Sequence, residues 1–337
     1  MKYKRIAIDT SKSVFTLHGV DEAEQVVCRR NLSRAQMERF FSKLPPTEVA
    51  LEACGGSHHW GRRLQALGHR VRLIPPQYVK PFVKRGKNDR NDAEAISEAA
   101  SRPSMRFVPV KTAEQQGQGM VLGVRNLLVG QRTQLVNALR GHAAEFGIVA
   151  AKGLAHVEPL LAEIAADEAI PALAREMLAG LGERIAETDA RIAEIDLRLQ
   201  QMHKADPVSQ NLTTIPGVGP VSAISFALTV DPRHFTSGRH FAAWLGLTPK
   251  DHSTAGKQRL GGISRAGNER LRQLLVVGAM AVIRNVGREG SNASPWLRTL
   301  LGKKPRKLAA VALANKMARI IWAMMTTGEA YRANSAA

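Results

Sequence analysis

Residues 49–54 read Val-Ala-Leu-Glu-Ala-Cys, an apolar run interrupted by one carboxylate, Glu52. Because the run is short and stops at Gly55 and Gly56, it predicts a buried β-strand. Charged side chains are rarely fully buried without a partner, and burying a lone carboxylate costs several kcal/mol. We therefore expect Glu52 to face a cation or a metal ion.

The stretches on either side of this strand indicate an α/β domain over residues 1–108. Strands are predicted at residues 3–9, 14–20, 24–30 and 70–74, and helices at residues 33–44 and 57–67. This β-β-β-α-β-α-β order is typical of an RNase H-like (RuvC-like) domain with a mixed sheet. The first strand ends at Asp9 and lies beside the strand of Glu52 in such a sheet, so both acids are expected in one cleft.

A second pair of carboxylates, Asp89 and Asp92, lies at the predicted start of a helix, in the sequence Asn-Asp-Arg-Asn-Asp-Ala of residues 88–93. Within a first helical turn, the i,i+3 spacing places both side chains on one face. Hard divalent cations prefer oxygen ligands, so these two acids together with Asp9 and Glu52 predict a site for Mg²⁺, or for Mn²⁺. The alternative for Asp89 and Asp92 is helix capping, for which Asp is favoured.

The rest of the chain is predicted to be all-α, with long helices and a coiled coil over residues 109–207 and a small helical domain over residues 208–330. Residues 112–146 indicate one long helix. A second helix carries an apolar seam with the 4-3 spacing of a coiled coil, which we expect to be shared between subunits. The alternative is a two-helix hairpin within the chain. The seam residues are Leu181, Ile185, Thr188, Ile192, Ile195, Leu199 and Met202.

The charge of the chain favours a nucleic-acid partner. Lys and Arg total 48 against 29 Asp and Glu, which gives a formal charge of +19. Residues 233–307 hold fifteen Lys or Arg and three acids, whereas residues 158–202 hold ten acids and four Arg. The positive charge is therefore concentrated near the C-terminal end, which is suited to bind phosphates, whereas the acidic middle of the chain is not.

The cysteines and the apolar segments indicate in which cellular compartment the protein is expected to function. Cys28 and Cys54 form no CxxC pair, so neither a disulfide framework nor a cysteine-type zinc site is expected. We interpret them as two buried thiols in a reducing cytoplasm. Since no run of 18 apolar residues occurs, no membrane-spanning segment and no membrane partner are predicted.

Several motifs, taken together and in order, resemble the DEDD-type insertion-sequence transposases, and this resemblance spans nearly the whole chain. These transposases have a RuvC-like domain followed by a serine-bearing C-terminal transposase domain with a helix-hairpin-helix-like motif. The matching segments are Ala7–Lys12, Leu51–Gly56, Lys87–Ala93, Pro216–Pro220, Gly246–Pro249 and Ile263–Asn268.

The resemblance implies a mechanism and a set of partners. The acids Asp9, Glu52, Asp89 and Asp92 would hold Mg²⁺, and a C-terminal serine would attack the DNA phosphate to form a phosphoserine link. Members of the family bind a structured RNA from their own element, which pairs with donor and target DNA. Homodimers pair into a tetramer, so that the acids of one subunit meet the serine of another, in the bacterial cytoplasm and at the nucleoid.

The serine implied by the resemblance is Ser253, in the polar loop Pro249–Lys257. Taken without the resemblance, Ser253 is simply a solvated loop serine. Thr254 is the alternative nucleophile, because the register of the motif is ambiguous by one residue and Ala255 stands where family members usually carry Gly. His252 either orients or deprotonates Ser253, or is a surface histidine.

The basic C-terminal region supplies the predicted nucleic-acid contacts. Gly217 and Gly219 resemble a helix-hairpin-helix loop that binds phosphate through backbone N–H groups, or else form a tight interhelical turn. His58 and His59 are interpreted as packing residues at a helix start. The expected backbone-contact residues are Lys257, Arg259, Arg265, Arg270, Arg272, Lys303, Lys304, Arg306 and Lys307.

Two other functions are compatible with the same residues. In a metal-dependent nuclease or junction resolvase, water attacks the phosphate and Ser253 is idle. In a nucleic-acid-binding assembly protein, the acids have no catalytic role. The position of Glu52 in an apolar strand argues against the latter.

Overall fold

The computed structural model describes residues 3–84, 88–286 and 294–332, and the chain divides into two compact units, Met1–Gly117 and Gln118–Ala337. The first unit holds the predicted α/β domain. The regions predicted as a separate middle and C-terminal domain lie together in the second unit.

The first unit is built on a mixed five-stranded sheet. Its strands are β1 (Arg5–Thr10), β2 (Val14–Val20), β3 (Val26–Ser33), β4 (Glu48–Glu52) and β5 (Arg70–Ile74). The strand order is β3-β2-β1-β4-β5. The first three strands are antiparallel neighbours, and β4 runs parallel to both β1 and β5. The helices are α1 (Arg34–Phe41), α2 (Ser57–Ala66), α3 (Pro76–Val79) and α4 (Asp89–Ser101), with a 3-10 turn at Lys80–Phe82.

The two faces of this sheet differ in the size of their side chains. On one face Ile8, Leu17 and Leu51 pack in a core with Phe41 of α1 and Leu64 of α2. On the other face small buried side chains allow close approach of a helix. Ala7 and Ala50 of the sheet lie there with Ala95 and Ala99 of α4. On this face, the alanines of the sheet bring α4 close to the strands. Polar side chains of the strands that lie beside these alanines are therefore close to α4.

The predicted order of strands and helices is confirmed over residues 5–74, with shifts of a few residues at the ends of some elements. The third strand begins at Val26 rather than at residue 24, because Asp21 accepts the backbone N–H groups of Ala23 and Gln25 and so extends the turn. The expectation of two buried thiols is wrong. Cys54 is exposed, with its Sγ 3.2 Å from Thr10 Oγ1, and Cys28 is partly exposed.

The second unit is helical apart from one small hairpin. Its helices are α5 (Ala113–Ala144, which starts in the first unit), α6 (Val157–Ala166), α7 (Ala172–Ala205), α8 (Pro207–Leu212), α9 (Pro220–Thr229), α10 (Gly238–Trp244), α11 (Glu269–Arg284), α12 (Pro295–Lys303) and α13 (Arg306–Thr327). The hairpin strands are β6 (Pro249–Asp251) and β7 (Leu260–Ile263). Short 3-10 turns lie at Leu154–His156 and Pro232–His234.

The apolar seam of α7 is buried inside the chain, which contradicts the expected use between subunits. Ile185 packs in a core with Val136 of α5 and Leu160 of α6, and Leu199 packs with Leu122 of α5. A 4-3 spacing identifies an apolar stripe but not the helix that covers it. Here the alternative, a hairpin within one chain, is the arrangement observed.

Ion pairs fix α5 and α7 in antiparallel register. Arg125 binds Asp196 at 3.0 Å, and seven residues further along α5, Arg132 binds Asp189, seven residues earlier in α7. These pairs neutralise two acids of the acidic middle segment. Other acids of α6 and α7 remain exposed to solvent, namely Glu158, Glu163, Glu176 and Glu183.

Helix α13 is the single helix among the described residues that is long and apolar enough, by length and composition alone, to cross a membrane. Ala310, Ala314, Ala318 and Ile321 are nevertheless buried in the core of the second unit. Their burial is typical of a core helix.

Two glycine backbones touch where the loop before α9 meets α11. A Cβ added to Gly278 would lie 2.0 Å from the carbonyl oxygen of Gly217, and Gly217 itself has φ +87°. Neither position has space for a methyl group. This close approach accounts for Gly217 as a packing residue, the alternative left open by its sequence.

We expect Gly278→Ala to destabilise the protein by about 2 kcal/mol, because overpacking exceeds the helix-propensity gain of about 1 kcal/mol. That loss corresponds to a fall in melting temperature of about 4–8 °C. Gly141→Ala on α5 is the matched control, since its Cβ would meet no atom within 4 Å. It should raise the melting temperature slightly. Equal melting curves for the two variants would contradict the contact.

Candidate active site

Asp9 and Glu52 lie side by side on the sheet face under α4. In the parallel pairing of β1 and β4, the last aligned pair is Ile8 with Leu51, and the two acids follow directly. Side chains alternate along a strand, so Asp9 shares the face of buried Ala7, and Glu52 shares the face of buried Ala50. The prediction that these two strands are neighbours is confirmed.

Asp89 and Asp92 both lie in the first turn of α4, the helix that covers this face. The N-cap is Asn88, whose side chain accepts the backbone N–H of Asn91 at 2.8 Å. Capping by Asp89 or Asp92, the alternative from sequence, is therefore not observed. Their i,i+3 spacing leaves both carboxylates available on one side of the helix.

The four carboxylates repel one another. The pKa of Asp9 is raised to about 6, first by partial burial and then by three neighbouring acids, in decreasing order Asp92, Asp89 and Glu52. Burial and the charge of Asp92 also raise the pKa of Glu52. Among the residues that the structure describes, no Lys or Arg forms an ion pair with any of the four. Within the part of the chain that the structure describes, no cation therefore neutralises this cluster.

The donor set fits a hard divalent cation in its chemistry, since all four groups offer carboxylate oxygens. The four side chains do not converge closely enough to form a complete coordination shell around a metal ion. Within residues 3–84, 88–286 and 294–332, no three acids, histidines or cysteines stand close enough to hold a metal ion. Mutual repulsion opposes convergence of like charges, and the half-exposed side chains are free to change rotamer.

Ser253 lies on the exposed hairpin formed by β6 and β7. The turn places Ala255 at φ +49° and Gly256 at φ +75°, as a two-residue hairpin loop requires. Lys257 N donates to Thr254 O at 2.9 Å and closes the turn. Ala255 is therefore held in a backbone conformation that Gly adopts more readily, which explains why Gly suits this position.

The structure pairs Ser253 with Asp251, a residue that sequence reasoning missed. The Ser253 hydroxyl donates to Asp251 Oδ1, and its Oγ accepts the backbone N–H of Arg259 at 3.0 Å. This hydrogen bond lowers the pKa of Asp251. The signal was present in the i,i+2 spacing of Asp and Ser, a common local hydrogen-bonding pattern. His252, the group considered from sequence, is not the partner of this hydroxyl.

Most of the predicted basic contact residues are exposed and unneutralised. Arg306 and Lys307 open α13, where positive charge opposes the helix dipole, so helix stability does not explain them. Arg270 is half-buried, and burial followed by the charge of Arg125 lowers its pKa. No described acid lies within ion-pair distance of the exposed set, Lys257, Arg259, Arg265, Lys303, Lys304, Arg306 and Lys307.

Arg272 is a correction to the predicted set. Its side chain is buried, and the guanidinium donates to the carbonyl oxygens of Leu245 at 3.0 Å and Ala266 at 2.7 Å. The residue ties two loops together and is not free to contact phosphate. His58, as expected, packs at a helix start and accepts the backbone N–H of Lys111.

Comparison with known proteins identifies the family. Residues 209–295 match the transposase family described as IS116/IS110/IS902, and residues 6–147 match a second transposase family, of the DEDD type. A putative transposase of Sinorhizobium fredii is 58% identical over 97% of this chain and 85% of its own length. The chain belongs to the IS110 family of transposases. A probable family 20 transposase of Pseudomonas aeruginosa is 49% identical, over 98% of this chain and 99% of its own.

The third relative links the transposase to a mobile element. The transposase for insertion sequence element IS1111A of Coxiella burnetii is 42% identical over 98% of this chain and 91% of its own length. The protein is accordingly a transposase of an insertion sequence, an enzyme that cuts and rejoins DNA. DEDD transposases generally depend on a divalent metal, which agrees with the carboxylate cluster.

Proposed function

We propose that this transposase cuts DNA with Ser253 as nucleophile, while Asp9, Glu52, Asp89 and Asp92 hold Mg²⁺ (or Mn²⁺), and that a structured RNA of the same element directs it. The observation that carries the proposal is a cluster of four mutually repelling carboxylates with no cationic partner among the described residues. Such a cluster is costly unless it serves to bind a cation.

The sheet supports an RNase H-like assignment for the first unit. The strand order β3-β2-β1-β4-β5, with three antiparallel strands followed by two parallel ones, is the order expected from the β-β-β-α-β-α-β sequence. The acids lie at the ends of the two central strands and on the helix that crosses them. This arrangement gives the site a rigid backbone and mobile carboxylates.

The hydrogen bond between Ser253 and Asp251 supports the serine as nucleophile. In the proposed step, Ser253 Oγ forms a bond to phosphorus, its proton passes to Asp251, and the bond from phosphorus to the bridging sugar oxygen breaks. The product is a phosphoserine link, and the departing oxygen takes up a proton. A divalent cation supplies polarisation of the phosphoryl and departing oxygens. Thr254 is the poorer candidate, because its β-branched side chain restricts the hydroxyl and hinders its approach to phosphorus.

Partners and assembly follow from the family resemblance. The unneutralised basic residues of the second unit suit the phosphates of both DNA and a guide RNA, which allows base pairing rather than side chains to read sequence. We place the acids of one subunit with the serine of another, in a tetramer made of two homodimers. The tetramer would act on DNA in the cytoplasm.

The RNA component is tested by purifying the full-length transposase from its host without nuclease treatment. We expect a discrete RNA transcribed from the same element to co-purify and to be identified by sequencing. The variant Lys303→Gln/Lys304→Gln/Arg306→Gln/Lys307→Gln should retain less of it at a given salt concentration, since each phosphate contact contributes to binding. Recovery of only random cellular RNA, in equal amounts from both proteins, would reject RNA guidance.

A further inference from the structure

A basic pocket lies beside the carboxylates, on the side of the sheet where β2 and β3 form the edge. Its volume is about 160 Å³. None of its residues belongs to the candidate metal site. It is lined by Thr16, Leu17, His18, Arg29, Arg30, Asn31 and Arg90.

The strand register connects this pocket to the acids. Asp9 pairs with Thr16 across β1 and β2, and Thr16 pairs with Asn31 across β2 and β3. With Glu52 beside Asp9, one row across the sheet therefore reads acid, acid, hydroxyl, amide. Arg90 lies between Asp89 and Asp92 in sequence, in the first turn of α4. The pocket therefore lies on the same face of the sheet as the acids, one to two strands away from Asp9.

The charges facing the pocket leave it positive. Arg29 lies 3.8 Å from Glu94, but Glu94 also binds Lys84, so one acid is shared by two cations. No acid among the described residues forms an ion pair with Arg90. His18 is buried, and burial lowers its pKa, so it adds no charge near neutral pH.

Arg30 contributes less to this charge than the other two arginines. Its guanidinium lies 5.8 Å from the centre of the Phe40 ring and so is engaged with an aromatic side chain. Arg29 and Arg90 are both exposed, and their planar guanidinium groups match phosphate oxygens in two-point hydrogen bonds. Asn31 adds an amide donor and Thr16 a hydroxyl donor.

We infer that this pocket binds a backbone phosphate of the DNA strand that is cut, one or two nucleotides from the scissile phosphate, through Arg29, Arg90 and Asn31. The inference rests on the proposed function, because it needs the acids to mark the cutting point. Neighbouring strands are about 4.8 Å apart, so the pocket lies about 5–10 Å from Asp9. Consecutive phosphates of one duplex strand rise about 3.4 Å along the axis and, because the strand also turns around that axis, lie roughly 6–7 Å apart through space. A distance of about 5–10 Å therefore corresponds to a separation of one or two phosphates.

The first test measures binding of a fluorescein-labelled 30-base-pair DNA duplex by full-length Arg29→Gln/Arg90→Gln across a salt series. We expect affinity to fall by about 10-fold and the salt dependence to become shallower by about one unit, as for loss of one phosphate contact. The matched control is Arg70→Gln on the opposite edge strand, because Arg70 is exposed and lies 4.0 Å from Glu48, much as Arg29 lies from Glu94. The control should change affinity by less than about 2-fold.

The second test locates the phosphate. The cut position is mapped from the covalent adduct of the wild-type protein, and single neutral methylphosphonates are placed one to five nucleotides from it. A neutral linkage one or two positions away should weaken wild-type binding but leave binding by Arg29→Gln/Arg90→Gln unchanged. Equal sensitivity of both proteins at every position would overturn the inference.

Two further outcomes separate this inference from the proposed function. If the double variant loses affinity for a matched RNA duplex but not for DNA, the pocket does not hold the cut DNA strand. If wild-type protein forms no adduct while the double variant still loses DNA affinity relative to Arg70→Gln, the serine mechanism fails but binding of a DNA phosphate by the pocket stands. The melting temperatures of all variants should agree within about 2 °C, since Arg29, Arg70 and Arg90 are all exposed.

Discussion

Ser253→Ala will form no covalent adduct with DNA, while its affinity for DNA stays within about 2-fold of wild type. The hydroxyl is exposed and held by Asp251 and by the backbone of Arg259, so its removal changes the nucleophile and not the fold. In enzymes that form a covalent intermediate, removal of the nucleophile lowers the rate by on the order of 10⁴-fold or more. Denaturing gel electrophoresis of end-labelled DNA, with and without protease, measures the adduct.

The neighbouring residues provide the controls for this experiment. Thr254→Val keeps the β-branched shape and the backbone hydrogen bonds of the turn, so adduct formation should persist. Asp251→Asn should slow adduct formation at neutral pH, because the hydroxyl loses its proton acceptor. If Ser253→Ala still cuts DNA with normal yield, water is the nucleophile and the alternative of a metal-dependent nuclease is correct.

Asp9→Asn will lower DNA cutting by about 100- to 1000-fold and at the same time stabilise the metal-free protein at neutral pH. The folded-state pKa of Asp9 is about 6, above its ordinary value of 3.8. An acid with a raised pKa binds its proton more tightly in the folded state, so stability falls as pH rises from about 4 to about 6. Because the side chain is half-exposed, we expect the amide to restore only about 1–2 kcal/mol.

The measurement is thermal unfolding in EDTA and in Mg²⁺, at pH 4.5 and at pH 7.5. In EDTA the melting temperature of Asp9→Asn should exceed that of wild type at pH 7.5 but not at pH 4.5. Mg²⁺ should raise the melting temperature of wild type and have little effect on the variant, because a ligand that binds only the folded state stabilises it.

Glu48→Gln is the matched control for this series. Glu48 lies on the same strand as Glu52 and on the same face, but Arg72 neutralises it at 2.8 Å. The variant should be slightly less stable than wild type and should keep the full response to Mg²⁺. If Asp9→Asn responds to Mg²⁺ as strongly as Glu48→Gln does, the carboxylates are not the metal site.

Much of the first unit was predictable because its pattern is local. Alternation of apolar side chains and the position of Glu52 define the central strands, and these bring Asp9 and Glu52 together. The second unit was harder, since the seam of α7 shows which side chains are buried but not which helix buries them. The same limit applies to Arg272, which sequence groups with its basic neighbours and which the fold places inside.

The parts of the site that the sequence did not reveal depend on pairing between distant segments. Arg29 and Arg90 are 61 positions apart in the chain and meet only because α4 crosses the sheet near β3. The partner of Ser253 is different in this respect, because Asp251 lies two positions before it and the local Asp-x-Ser spacing could have indicated the hydrogen bond. Electrostatic repulsion among the four acids likewise requires their positions in space.

The acids exposed on α6 and α7 act by exclusion. Glu158, Glu163, Glu176 and Glu183 have no cationic partner among the described residues, and a polyanion approaching within about 8 Å of them meets unscreened repulsion at physiological salt. We therefore expect nucleic acid to stay away from α6 and α7. If these four residues were replaced by Lys, we would expect α6 and α7 to bind DNA of any sequence. Fewer of the protein–DNA complexes would then have DNA at the active site, although every catalytic group would still be present.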